Sequence, residues 1–196
     1  MNLFQPDKFK LFNPNEFIPE KYYIAVDPGY NNQGNLFVDK RGNGFTSIVV
    51  VGFGTDDNDK VRIGIFEVIK GGFRPSGLYQ PLHYLVEKYI RIAPVAQIGI
   101  EDNGHNCLLH TKIMHGDLGA PVIPISNSTN RLNRILALEP LFVGGVIQLP
   151  NDWQVSFPMG VRDELFNYQI AGSCVCGNDF LDALAMAIEL IKMNQN

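Results

Sequence analysis

The 196-residue sequence is short of several things that would have classified it quickly. It has three cysteines, two of them in Cys174-Val175-Cys176. That is neither a disulfide framework nor the paired spacing of a zinc site. No apolar stretch approaches the ~20 residues of a membrane span. Met1-Asn2-Leu3-Phe4-Gln5-Pro6 lacks the charged-then-apolar order of a secretory signal. These absences read as a soluble protein of a reducing compartment. A basic excess is missing too: 16 Lys and Arg stand against 20 Asp and Glu, a net charge of -4. Broad electrostatic capture of nucleic acid is therefore not expected. A local contact remains open, because charge can be concentrated and bound cations offset carboxylates. Nor is there a phosphate-binding Gly-x-x-x-x-Gly-Lys-Ser/Thr loop. Gly29 to Gly34 continues into Asn35-Leu36 and lacks the lysine, so this chain is not expected to hydrolyse ATP.

What is present is the composition of one folded domain, 45% hydrophobic and 18% charged. Residues 1–20, with Pro6, Pro14 and Pro19, show no sustained period and read as a linker or arm before a domain over 21–196. Strands are expected at Lys21 to Val26, Thr46 to Phe53 and Val61 to Ile69, joined by loops as an antiparallel meander. The period then changes. Leu82, Leu85, Val86, Tyr89 and Ile90 fall at helical spacing, with Pro81 in the first turn. Further strands are expected at Ala96 to Ile100 and Pro121 to Ile125, with a short extended piece at Val146 to Leu149. Helices are expected at His105 to Met114, Ser128 to Phe142, Val161 to Tyr168 and Asp179 to about Lys192.

Two of these strands end in acids. Asp27 closes Ile24-Ala25-Val26 and is followed by Pro28-Gly29, a turn composition that accounts for it alone. Glu101 closes Gln97-Ile98-Gly99-Ile100, where a solvated strand end would also account for it. Two carboxylates at the ends of strands in one sheet point to a shared site more strongly than either does alone. The last helix adds Asp179 and Asp182, three residues apart and so neighbours on its surface. Asn178 as a cap and Asp179 as a dipole partner are ordinary first-turn chemistry. Asp182 is not explained that way, because it sits in the Leu-Ala stretch that must pack on the sheet. Gathered carboxylates suit two hard cations such as Mg²⁺ or Mn²⁺, which can activate water and stabilise the leaving oxygen of a phosphodiester.

Ile24-Ala25-Val26-Asp27-Pro28-Gly29, Ile98-Gly99-Ile100-Glu101-Asp102-Asn103 and Asn178-Asp179-Phe180-Leu181-Asp182-Ala183-Leu184-Ala185 resemble, in this order, the nuclease domain of tailed-phage terminase large subunits. The run Asn130-Arg131-Leu132-Asn133-Arg134-Ile135 through Phe142-Val143-Gly144-Gly145-Val146 looks like that family's basic helix and following short strand. Arg162-Asp163-Glu164-Leu165-Phe166 resembles the helix before its final acids. The resemblance spans about Tyr22 to Leu190. It implies an α/β, ribonuclease H-like fold, with a central mixed five-stranded sheet (an antiparallel meander plus parallel strands) flanked by helices. It implies two divalent cations, Mg²⁺ or Mn²⁺, held by Asp27, Glu101, Asp179 and Asp182, and endonucleolytic cutting of concatemeric viral DNA during packaging. The implied partners are double-stranded DNA, the terminase ATPase motor, the small terminase subunit and the portal protein, in the host cytoplasm and with no membrane. Where the family often has paired aspartates, this sequence has Asn178-Asp179, which leaves open whether Asp179 or Asp182 is the principal third ligand. The chain reads either as an excised domain or as a separately encoded nuclease part, with residues 1–20 resembling a linker from the motor.

Arg131 and Arg134 have two open readings: phosphate contact beside the metals, or exposed residues paired with an acid such as Glu139. His105, His110 and His115 recur every five residues, not the four of zinc helices. They read as polar-face residues, with His105 near DNA. Trp153 reads as a packing anchor. Rival functions are a non-catalytic module that grips DNA or docks on the motor and portal, a Holliday-junction-resolvase-like nuclease, and an actin-like phosphotransferase. The last needs a second phosphate loop that does not appear.

Overall fold

The computed structural model describes residues 2–29, 45–73, 77–102, 117–126, 130–168 and 178–195. Strands β1 (Leu11–Phe12), β2 (Lys21–Asp27), β3 (Thr46–Thr55), β4 (Val61–Gly71), β5 (Val95–Glu101), β6 (Val122–Ile125) and β7 (Ile147–Pro150) form one sheet in the order β1-β7-β4-β3-β2-β5-β6. The antiparallel meander β2–β3–β4 is as expected. β5 and β6 extend it in parallel from β2, and β7 and β1 extend it in parallel from β4. The sheet thus has seven strands, where five were expected. The additional two are a two-residue and a four-residue strand, too short for alternation to mark them. The piece read as merely extended near residue 147 is β7, with Ile147 paired to Ile63.

Alternation along β2 sorts its side chains between two cores. Tyr22, Ile24 and Val26 join Leu82, Leu85, Val86 and Tyr89 of helix α1 (Tyr79–Tyr89) on one face. Tyr23 and Ala25 join the opposite face, with the last helix. The expected helix from Ser128 to Phe142 is two: α2 (Arg131–Leu136) and α3 (Glu139–Val143). Pro140 sits in the first turn of α3, where its missing N–H is tolerated; inside a continuous helix it would break a hydrogen bond. Two further helices follow, α4 (Trp153–Ser156) and α5 (Met159–Asn167). Trp153 is buried.

Helix α6 (Asp179–Met193) is buried on almost every side from Phe180 to Ile188, because it lies between the sheet and helices α2 and α5. It runs antiparallel to β5. Near its C-terminus Asn194 Nδ2 donates to Gln97 Oε1 at 2.5 Å, at the start of that strand. One turn earlier Leu190 packs against Gly99, where a Cβ would lie 2.9 Å from Leu190 Cδ1 and 2.3 Å from Ile125 Cδ1. The start of α6 is therefore delivered to the C-terminal ends of β2 and β5.

Residues 2–20 pack on the domain. Phe4, Phe9, Phe12 and Phe17 are buried, and Phe9 stacks on Phe142 with ring centroids 4.3 Å apart. The backbone N–H of Leu3 donates to the Tyr168 carbonyl just beyond α5. Among the described residues no helix is long and apolar enough to cross a membrane.

Candidate metal centre

Strand parity places the first two acids. Asp27 follows Tyr23 and Ala25 on the face that α6 covers. Glu101 follows Gly99, whose missing side chain leaves room for Leu190 of the same helix. β2 and β5 pair in parallel up to Val26 opposite Ile100, so Asp27 and Glu101 are the next residues along two adjacent strands. Both are buried, at 7% and 8% exposure, and their side chains lie close enough for the charge of Glu101 to act on Asp27. Burial pushes the Asp27 carboxyl well above the usual range, and the charges of Glu101, Asp182 and Asp179 push it further.

Helix α6 brings the other two acids. Asp179 is 8% and Asp182 2% exposed. Desolvation raises both carboxyls, and nearby cations oppose it: Lys70 and Arg131 at Asp179, Arg131 and Arg134 at Asp182. The structure thus brings together Asp27, Glu101, Asp179 and Asp182, from two strand ends and a helix start.

Three cations meet them. Arg134 Nη2 lies 3.0 Å from Asp182 Oδ1, and Arg131 Nε contacts Asp182 Oδ2. Arg131 Nη2 is also 3.9 Å from Asp179 Oδ1. The acid facing the two arginines is therefore Asp182 on α6, not Glu139 at the start of α3. Arg131 remains half exposed at 49%, whereas the Arg134 side chain is 11% exposed. Lys70, at the end of β4, is 3.5 Å from Asp179 Oδ2, beyond good hydrogen-bond distance. His105, His110, His115, Cys174 and Cys176 lie outside the described residues.

The sequence reading assigned no role to Glu164. It is fully buried on α5, ion-pairs with Lys70, and accepts hydrogen bonds from the backbone N–H groups of Phe180 and Leu181 at 3.4 and 3.1 Å. Desolvation pushes its carboxyl up to about 7, against the pull of Lys70. A signal was there to be read. Val161, Glu164, Leu165 and Tyr168 form one buried helical stripe, with an acid where an apolar residue is ordinary.

The donor set is all oxygen, as hard divalent cations require. Asp179 Oδ2 is buried with no hydrogen-bond partner among the described residues. The cation beside it, Lys70 Nζ, stands 3.5 Å off, and a buried anionic oxygen met only at that distance is costly. Among the described residues no three acidic, imidazole or thiolate side chains form a ready ion-sized cage. At Asp182 the guanidiniums stand where a cage would close. The donor chemistry of Asp27, Glu101 and Asp179 suits a divalent cation, but their placement does not itself close a cage around one, and Asp182 is turned toward the arginines.

No family model matches the chain, and no curated protein sequence does. Solved structures do. The human cytomegalovirus terminase nuclease domain, Mn-soaked and inhibitor-bound, superposes with a TM-score of 0.61 at 12% identity, covering 96% of this chain and 94% of that one. The large terminase nuclease of thermophilic phage G20c with bound zinc gives 0.59 at 16% identity, covering 95% and 97%. Its magnesium-bound form gives 0.58, again at 16% identity, covering 96% of each chain. The chain has the ribonuclease H-like fold of these terminase nuclease domains.

Proposed function

We propose that this chain is a divalent-metal-dependent endodeoxyribonuclease, the nuclease part of a terminase large subunit, that cuts concatemeric viral DNA during genome packaging. The observation that carries the reading is the meeting of four buried carboxylates at two strand ends and a helix start, one of them with an oxygen that makes no hydrogen bond among the described residues. The likeness to metal-bound terminase nucleases adds support.

Asp27, Glu101 and Asp179 would hold two cations, Mg²⁺ or Mn²⁺, with Asp182 beside them. When bound, such cations lower the pKa of an attacking water and stabilise the leaving oxygen of a phosphodiester. The chain's own residues do the rest. The Asp27 carboxyl, raised by burial and its acidic neighbours, would give up its proton as the ions bind, because only ionised carboxylates ligate well. Half-exposed Arg131 presents N–H groups to a DNA phosphate beside the acids, a local positive contact on a chain of net charge -4. Arg134, more deeply placed, holds Asp182. By the same resemblance the partners would be the ATPase motor, the small subunit and the portal, in the host cytoplasm.

A second reading, a non-catalytic DNA-gripping or docking module, draws on the guanidiniums that occupy both oxygens of Asp182. Plasmid cleavage separates the two. Supercoiled DNA should be nicked and linearised with Mn²⁺ or Mg²⁺ and untouched in chelator. Ca²⁺, with its looser geometry, should bind without supporting turnover. Intact plasmid at every Mn²⁺ concentration would favour the gripping module; cutting in excess EDTA would remove the metal from the mechanism.

A further inference from the structure

We infer that Glu164 is the positioning residue of this centre: through the first turn of α6 and through Lys70, it sets where the Asp179 carboxylate points. The inference rests on the metal-dependent reading above and adds a residue that touches neither metal nor DNA.

The argument begins with the backbone of α6. A helix start leaves its first N–H groups without intrahelical partners, and burying them unpaired is costly. Among the described residues Asn178, at the cap position, makes no side-chain capping bond, and its own side-chain oxygen is buried without a hydrogen-bond partner. Nor does the Asp179 side chain return to cap the helix it begins. The job falls to another helix. Glu164 accepts from Phe180 N with one oxygen and from Leu181 N with the other. A two-point anchor fixes the rotation of that first turn, and the rotation decides the direction in which Asp179 projects.

The same carboxylate acts a second time. Glu164 Oε1 ion-pairs with Lys70 Nζ, and that nitrogen is also the cation nearest Asp179 Oδ2, at 3.5 Å. Lys70 is itself almost buried, at 7% exposure. With Glu164 in place, Lys70 is shared between two acids and stands off Asp179. Without Glu164, Lys70 is free to close on Asp179 as a full ion pair, competing with any metal for that oxygen. Both routes converge on one prediction. Removing the Glu164 charge should weaken metal binding through Asp179 and leave Asp27 and Glu101 as they are.

A purely structural role would lower stability without this selectivity, so the test reads metal affinity and amide protection together with cleavage. Mn²⁺ binding to the metal-free full chain is measured by calorimetry for wild type, Glu164→Gln, Lys70→Met, Asp179→Asn and the double variant Glu164→Gln/Asp179→Asn. Hydrogen exchange of the Phe180 and Leu181 amides is followed in parallel. Glu164→Gln should weaken Mn²⁺ binding by about 10–100-fold, the usual loss when a group orienting a metal ligand is removed. Those two amides should exchange faster, and high Mn²⁺ should restore cleavage. In the Asp179→Asn background the same change should have little further effect, because the ligand it serves is gone. Lys70→Met should not weaken Mn²⁺ binding, since it removes the competitor. If Glu164→Gln fails to fold, Lys70→Met/Glu164→Gln, which leaves no unpaired buried lysine, takes its place. With the competing lysine gone it reads the first-turn anchor alone, through faster exchange at Phe180 and Leu181 and a loss of Mn²⁺ affinity that Lys70→Met by itself does not show. Wild-type affinity in Glu164→Gln, or equal losses in the Asp179→Asn and wild-type backgrounds, overturns the inference. Failure of the wild type itself to bind Mn²⁺ would instead overturn the metal-dependent reading.

Discussion

Arg134 and Asp182, 48 residues apart in the chain, meet in the interior with Nη2 3.0 Å from Oδ1. With Arg131 on the other oxygen, Asp182 is engaged on both sides, while Asp179 one turn away keeps a buried oxygen without a hydrogen-bond partner. The two aspartates of the helix are thus in different chemical situations, although only three residues separate them. On the proposed metal-dependent reading, Asp179 would be the ligand and Asp182 the anchor for arginine. Over a Mn²⁺ titration, cleavage by Asp182→Asn should be partly restored at high metal and cleavage by Asp179→Asn should not. The reverse ranking would move the third ligand to Asp182.

Asp27→Asn and Glu101→Gln should each abolish cleavage, since each keeps the shape and loses the charge of a ligand. In chelator at neutral pH, Asp27→Asn should also melt higher than wild type. Its carboxyl is raised by burial and by three neighbouring acids, so ionising it opposes folding. A lower melting temperature with retained cutting would take Asp27 out of the centre.

The metal-free protein should lose stability as pH rises through the weakly acidic range. Asp27, Asp179 and Asp182 have raised carboxyls, and Glu164 moves from 4.5 to about 7. Between those limits the folded chain holds more protons than the unfolded one, so stability is greatest below the ordinary carboxylate range and falls as pH passes toward 7. Thermal melts in EDTA at about pH 4.5 and 7.5 check the sign; a melting temperature that rises with pH would contradict it. Saturating Mn²⁺ should offset the fall, because it binds the ionised form.

Gly99→Ala should destabilise by roughly 1–3 kcal/mol, the usual penalty for overpacking a filled core. The added carbon would lie 2.3 Å from Ile125 Cδ1 and 2.9 Å from Leu190 Cδ1. Ile125→Val removes the nearer atom and should recover part of the loss. Urea unfolding with an unchanged m-value measures both; an Ala variant as stable as wild type would show that α6 can retreat from β5 at no cost.

What could be read beforehand was local. An apolar run that stops at Asp27 or Glu101 announces both a buried strand and the residue at its end, because burial and alternation are properties of a few consecutive positions. The meander and the last helix were legible for the same reason. What escaped depended on distant parts of the chain. β1 is two residues long and becomes a strand only by meeting β7. Arg131 and Arg134 advertise charge, but their acid lies on α6, while the nearer Glu139 begins the next helix. Glu164 marks itself by interrupting an apolar stripe, yet the amides it accepts from belong to Phe180 and Leu181. Such pairings follow from the sheet order, which no spacing in the sequence states.

The acids at 27 and 101 stand on strands made early in synthesis, and the helix that covers them begins at Asp179. A nascent chain that has emerged only through β6 therefore has two carboxylates at exposed strand ends, without the arginines, Lys70–Glu164 anchor or third acid in place around them. Domains fold as units as the chain is made, and here the unit closes late. Synthesis itself acts as a timer: a chain that stops short of α6 has two of the four acids and none of the packing that buries them together.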